Sequence, residues 1–319
     1  MLTVKEYSSL ANDIMASLPL PSHPSGLYEP IRYTLAGGGK RLRPVLLLAA
    51  ADAFGAGHKA VEMQAAGIEM FHNFTLLHDD VMDNADVRRN RPTVHKRWNE
   101  ATAILSGDAM LSLASIFITH NCDDAKFRAV SDLFNRTAME IYEGQQLDMD
   151  FEQRLDVTVE EYMEMIRLKT SVLLGCAAAI GAIMSGASES QVQAIYDYGV
   201  KLGLAFQLRD DYLDTYGSTE TFGKEIGGDI RNDKKTWLLI NALTEDKSGE
   251  ISKQLANPAP DKVERVRGVY DALHLPERCL ELIERYADEA VAELSRASLS
   301  SGAHDFFATL AHNLVNRKS

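Results

Sequence analysis

Basic residues are in short supply. Lys and Arg number 33 against 46 Asp and Glu, a formal net charge of −13, which argues against nonspecific nucleic-acid binding and against a polybasic membrane contact. Cysteine is scarcer. Cys122, Cys176 and Cys279 are odd in number, widely spaced and without metal-ligand spacing, so they read as reduced thiols of a cytoplasmic protein. Residues 1–20 lack a basic flank followed by an apolar core, and no signal peptide is expected. The longest weakly polar run, residues 171–186, is short and rich in Gly and Ala; it reads as a buried helix, not a membrane span. There is no short repeat, no low-complexity tract and no G-x-x-x-x-G-K-[ST] phosphate loop.

Strand-like alternation is also scarce, whereas helical periodicity runs almost throughout. Helices are expected from about Tyr28, over 46–53 (buried all round), 60–83, 100–120, 125–150, 158–185, 189–216, 234–243, 261–273, 276–297 and 303–315. The breaks fall at Ala36-Gly37-Gly38-Gly39, at a polar, arginine-rich loop over 84–93, at a Gly- and charge-rich loop over 217–233, and at Asn257-Pro258-Ala259-Pro260. No stretch has linker composition, so a single all-α domain over residues 1–319, a large helical bundle, is the expected fold class.

The chemistry concentrates at two places. Asp79, Asp80 and Asp83 end a mostly apolar helix, and Asp210, Asp211 and Asp214 end another with the same spacing. On a helix, residues four apart share a face. One such cluster is as readily a solvated helix end, unfavourable with the macrodipole. Two copies suggest a site for hard cations, and Mg²⁺ takes few protein carboxylates and completes its shell with water and phosphate oxygens.

Cations lie close by in the chain. Lys40, Arg41 and Arg43 follow the glycine run; Arg88 and Arg89 follow the first acid cluster; Lys169-Thr170 sits mid-helix; Lys224 and Lys234 flank Gly227-Gly228. Arginine forks match phosphate oxygens and lysine supplies a point charge. His72 shares a helix face with Asp79, and Gln207 lies one turn before Asp210. Metal-binding carboxylates beside direct cations point to two anionic substrate groups.

Gly39-Lys40-Arg41-Leu42-Arg43-Pro44, His72 with Asp79–Asp83, Arg88-Arg89, Gly144-Gln145 with Asp148, Lys169-Thr170, Phe206-Gln207, Asp210–Asp214, Gly223-Lys224 and Gly227-Gly228-Asp229 to Lys234 form an ordered set. It resembles the trans-isoprenyl diphosphate synthases of the polyprenyl synthetase family over most of the chain. The resemblance implies an all-α fold around a central cavity, a homodimer, and condensation of isopentenyl diphosphate with an allylic diphosphate (dimethylallyl, geranyl or farnesyl). It implies three Mg²⁺ ions held mainly by Asp79, Asp83 and Asp210, with Asp80, Asp211 and Asp214 supporting. Arg88, Lys169 and Lys224 would hold the allylic diphosphate. Lys40, Arg43, His72 and Arg89 would hold the isopentenyl diphosphate, and Lys234 would help close the site. Thr170 and Gln207 would face the allylic cation.

In that family, bulky residues just before the first acid cluster limit product length. Phe74 and Thr75 stand five and four residues before Asp79, and Phe71 one turn deeper. One aromatic at these positions with a two-residue spacer resembles geranylgeranyl-type members, and Phe71 would shorten the tube, so farnesyl or geranylgeranyl diphosphate is expected. A class I terpene cyclase shares the fold but needs neither the second Asp-rich cluster nor the Lys40/Arg43/His72 set. A noncatalytic subunit of a prenyl synthase heteromer would usually lack one acid cluster.

Overall fold

The computed structural model describes residues 1–217 and 226–316; Lys224 and Gly223 lie outside them. In chain order the elements are α1 Val4–Ala16, α2 Ser25–Leu35, α3 Leu42–Ala53, α4 Glu62–Met82, β1 Val87–Arg88, β2 Arg91–Pro92, α5 Val94–Arg97, α6 Glu100–Ile118, α7 Asp124–Glu152, α8 Val159–Ile166, α9 Val172–Met184, α10 Glu189–Tyr216, α11 Gly228–Arg231, α12 Trp237–Glu245, α13 Glu250–Ala256, α14 Lys262–Ala272, α15 Leu275–Glu293 and α16 Ser301–Val315. Local chemistry sets many ends. Thr3 with Glu6 and Thr158 with Glu161 form capping boxes on α1 and α8, each satisfying otherwise orphaned backbone donors.

Contacts sort the chain into two compact units. One holds residues 1–135 and 176–196, the other 136–175 and 197–319. In the first, α4 packs along α6. Gly67 lets the backbones approach, since a β-carbon there would lie 2.8 Å from the Ile118 nitrogen. Residues 45–51 of α3 are completely buried, as expected of a helix apolar on all faces.

The second unit gathers α12, α14 and α15 around Trp237, Tyr270 and Ile283. Its distinctive element joins α8 to α9. Residues Arg167–Ser171 form a π-helical turn, with Ser171 Oγ donating to the Ile166 carbonyl at 3.3 Å. The expected helix over 158–185 is therefore interrupted. Two glycines press on the turn. A β-carbon at Gly144 would come within 2.4 Å of the Lys169 nitrogen, and one at Gly203 within 2.5 Å of the Ser171 Cα.

Two further features depart from the sequence reading. The loop over 84–93 contains a two-stranded antiparallel hairpin, Val87 opposite Pro92 and Arg88 opposite Arg91. Its turn residues, Arg89 and Asn90, have φ of 52° and 59°, the left-handed pair that matches strand twist. Glu250–Ala256 is helical although no helix is expected there.

Steric room separates two glycines. Gly144→Ala should lower stability by about 1–3 kcal/mol through overpacking. Gly268, in α14 with open space around it, should gain roughly 0.5–1 kcal/mol when replaced by Ala. Denaturant midpoints check both, and a Gly144→Ala protein as stable as the parent would refute the close-packed turn.

Candidate active site

In the first unit the carboxylates of the α4 C-terminus divide by direction. Asp79 is half-buried and Asp83 exposed, while Asp80 is buried. Asp80 Oδ1 accepts from Arg88 Nε at 2.7 Å. Burial raises the Asp80 pKa and Arg88 opposes the rise. Asp79 and Asp83 thus form the outward pair, one helical turn apart.

Arg41 and Arg43, two residues apart, have different surroundings. Arg41 caps α3 with a left-handed backbone, φ 50°. Its guanidinium is buried on Glu69 Oε1 at 2.6 Å, Asn12 Oδ1 at 2.9 Å and the Leu35 carbonyl at 2.8 Å. Such a pair is costly to break, because either partner alone would be an uncompensated buried charge. Arg41 is therefore a structural cation. Arg89 donates to the Gly38 carbonyl and lies over Gly39, where a β-carbon would come within 2.9 Å of its Nη2. Three glycines at 37–39 thus seat an arginine.

His72 reports the electrostatics of this cluster. Burial, then Arg43, Arg89, Arg88 and Arg41, hold its pKa well below the ordinary histidine value. The imidazole is neutral near pH 7 and can hydrogen-bond an anion without adding charge. His78, one turn before Met82, packs over Gly107 and hydrogen-bonds the Ile104 carbonyl at 3.1 Å, a packing role. Phe74 meets Phe71 at 5.5 Å between centroids, and Phe71 meets Phe134 of α7 at 5.1 Å. Thr75 Oγ1 donates to the His72 carbonyl at 2.8 Å.

The second unit carries its own carboxylate turn at the end of α10. Asp214 Oδ2 accepts from the Asp229 backbone N–H at 2.8 Å, and the Asp214 carbonyl accepts from Gly227 N–H at 2.7 Å. The Gly227-Gly228-Asp229 segment is folded onto Asp214 by these bonds. A β-carbon at Gly228 would stand 3.3 Å from Asp214 Oδ1. Asp211 is buried and accepts from Tyr162 Oη at 2.5 Å and Gln207 Nε2 at 2.8 Å. Thr170 Oγ1 donates to Gln207 Oε1 at 3.1 Å, and Lys169 Nζ pairs with Asp148 Oδ2 at 2.5 Å.

Lys234 lies in the field of Asp229, Asp211, Asp148 and Asp214. Burial would lower its pKa, and these four carboxylates outweigh that and raise it. Burial also pushes Asp229 up to about 7, against the pull of Lys234, with Asp211, Asp214 and Asp148 adding to the rise. A second hard cation would relieve this crowding of acids.

Among the described residues no three carboxylate, imidazole or thiol groups close around one point. The donor set suits Mg²⁺ nonetheless, since that ion is usually held by one or two carboxylates with water and phosphate oxygens. Asp79 with Asp83 and Asp210 with Asp214 each offer such a pair. Tyr162 and Arg41 are the partners sequence reasoning did not assign. Tyr162 is 49 residues from Asp211, and only the tertiary fold joins them.

Known proteins are similar to this chain in sequence and fold. The polyprenyl synthetase family model matches residues 24–273. A geranylgeranyl diphosphate synthase of Methanosarcina mazei is 43% identical over 241 residues, 75% of this chain and 74% of that protein. One of Saccharolobus solfataricus is 38% identical over 283 residues, 86% and 85% of the two chains. A crystal structure of a geranylgeranyl pyrophosphate synthase superposes with a TM-score of 0.95 at 44% identity, covering all of both chains.

The raised Asp229 pKa has a direction in pH. Between the unfolded carboxyl value of about 4 and the folded value, the folded state holds a proton the unfolded chain has lost. Stability of the metal-free protein should therefore fall as pH rises from about 4 to about 7. Thermal midpoints across that window check this, with Asp229→Asn expected to flatten the slope. An unchanged slope in Asp229→Asn would assign the titration elsewhere.

Proposed function

The chain belongs to the polyprenyl synthetase family, and on that footing we propose that it is a short-chain trans-prenyltransferase. It condenses isopentenyl diphosphate with dimethylallyl, geranyl and farnesyl diphosphates to farnesyl or geranylgeranyl diphosphate. The observation that carries this reading is that each carboxylate turn stands within its own set of cations. Asp79–Asp83 has Arg88 beside it and the Arg43/Arg89/His72 cluster on the same unit; Asp210–Asp214 has Lys234 in its field. Residues 1–319 then act as one catalytic domain.

Lys169 and Arg88, each with a carboxylate partner in the free protein, exchange it for oxygens of the allylic diphosphate, joined by Lys224. Lys40, Arg43, Arg89 and neutral His72 hold the isopentenyl diphosphate. Asp79, Asp83 and Asp210, with Asp80, Asp211 and Asp214 supporting, would hold three Mg²⁺ ions, which would supply charge to stabilise the leaving diphosphate. As the allylic C–O bond breaks, the electron pair leaves with that diphosphate, whose growing charge Arg88, Lys169 and Lys224 meet. The oxygens of Gln207 and Thr170 face the electron-poor allyl carbon. The isopentenyl double bond attacks it, and a proton passes to the departed diphosphate. Lys234 helps exclude water.

Product length rests on Phe74, with Thr75 beside it and Phe71 beneath. Phe134 supports Phe71 from α7, so removing the Phe74 ring leaves a second aromatic floor. The assembly proposed is a homodimer. Helix α6 is apolar enough to cross a membrane, yet only 39% of its most apolar window is buried, whereas the comparable stretch Val159–Met184 is 78% buried. Ile104, Leu105 and Ile116 are 46%, 60% and 60% exposed, a face that a second copy would cover in place of lipid. Free Cys122, Cys176 and Cys279 suit the reducing cytoplasm.

With Mg²⁺ and the two substrates, the purified protein should release a prenyl diphosphate, and chelation should stop it. Asp79→Ala should lower turnover by roughly 10²–10³-fold or more, in the range of lost electrostatic stabilisers, with the fold retained. Chromatography and circular dichroism check this; near-parental turnover would remove Asp79 from the metal set. Phe74→Ala should extend the product by about one isoprene unit, stopping at Phe71, given the area one ring vacates. An unchanged product spectrum would take Phe74 out of the length control.

A further inference from the structure

We propose that Tyr162 is a positioning residue of the prenyl-transfer site, acting through Asp211 to fix which end of the Gln207 amide faces Thr170. This rests on the reading above, in which Gln207 meets the electron-poor carbon.

The argument turns on the two ends of an amide. A glutamine side chain can rotate by half a turn, exchanging a carbonyl oxygen for an NH₂ at nearly the same volume. Both oxygens of Asp211 accept from protein donors, Tyr162 and Gln207. Its Oδ1 takes the Gln207 Nε2–H at 2.8 Å, so the amide oxygen must point the other way. There it accepts from Thr170 Oγ1 at 3.1 Å. The reverse orientation would press Oε1 onto Oδ1, two acceptors in contact.

Tyr162 sets the carboxylate in its turn. Its ring is 1% exposed, and its hydroxyl donates to Asp211 Oδ2 at 2.5 Å. With one oxygen held by the phenol, the other is left for Gln207. The phenol has no solvent to turn to, and leaving a buried hydroxyl unsatisfied is costly. The chain Tyr162–Asp211–Gln207–Thr170 therefore has one satisfied arrangement.

The orientation matters because the two amide ends carry opposite partial charges. A carbonyl oxygen stabilises developing positive charge and an NH₂ opposes it. Asp211, though it sits between Asp210 and Asp214, has both oxygens engaged by protein donors. The geometry gives it the task of aligning Gln207 beside its supporting place in the metal set.

Steady-state kinetics on the full-length protein test this. Tyr162→Phe keeps the ring and removes the hydroxyl. It should lower kcat on the order of tenfold, with KM for both substrates and the Mg²⁺ activation midpoint changed by less than about twofold. Asp210→Asn, by contrast, should shift the Mg²⁺ midpoint. Tyr162→Phe combined with Gln207→Leu should be no slower than Gln207→Leu alone, since the two act as one unit. Parental kcat in Tyr162→Phe, multiplying losses in the double variant, or a Mg²⁺ midpoint that moves in Tyr162→Phe would each overturn the proposal. A parent protein that makes no prenyl diphosphate would instead refute the function reading, so the two failures are told apart.

Discussion

Everything in the second unit's site depends on one repulsion. Asp148, Asp211, Asp214 and Asp229 all act on a single ammonium, Lys234. Like charges at such density cannot all be ionised in a half-buried setting without counter-charge. The protein relieves the strain by three local means. Asp148 has Lys169, Asp211 has two neutral donors, and Asp229 retains a proton to about pH 7. That residual demand for positive charge fits the divalent cations proposed for this unit.

The first unit inverts the balance. Arg41, Arg43, Arg88 and Arg89 act on one imidazole; Arg41 is paired with Glu69 and Arg88 with Asp80. Arg41 is permanently engaged there, which separates the scaffold charge from the working charges. An anion bound by the remaining side chains meets a neutral histidine as hydrogen-bond partner. The first unit thus sets direct cations beside its carboxylate pair Asp79 and Asp83, and the second sets its crowded acids around one ammonium.

Much of this was legible in the chain because helical spacing turns sequence into faces. The carboxylate turns, the glycine run before the basic residues and the buried α3 all follow from periodicity. The buried engagement of Arg41 was not, because nothing in composition marks a left-handed arginine at a helix start. The Arg88-Arg89 hairpin was read as loop for a similar reason: its turn carries Arg-Asn where glycine usually signals left-handed φ. The π-helical turn leaves no trace in residue type. Tyr162 carries no such signal in the chain, since its partner Asp211 is 49 residues away.

That turn between α8 and α9 carries one residue more than helical phase requires. Each residue of a regular helix advances the facing direction by about 100°, so an added residue offsets everything after it by that angle unless the backbone absorbs it locally. Here the excess is absorbed within five residues, and the apolar α9 beyond keeps its buried phase. Reactive side chains could therefore be introduced into a core helix by a change in length, with the core's own residues left as they were.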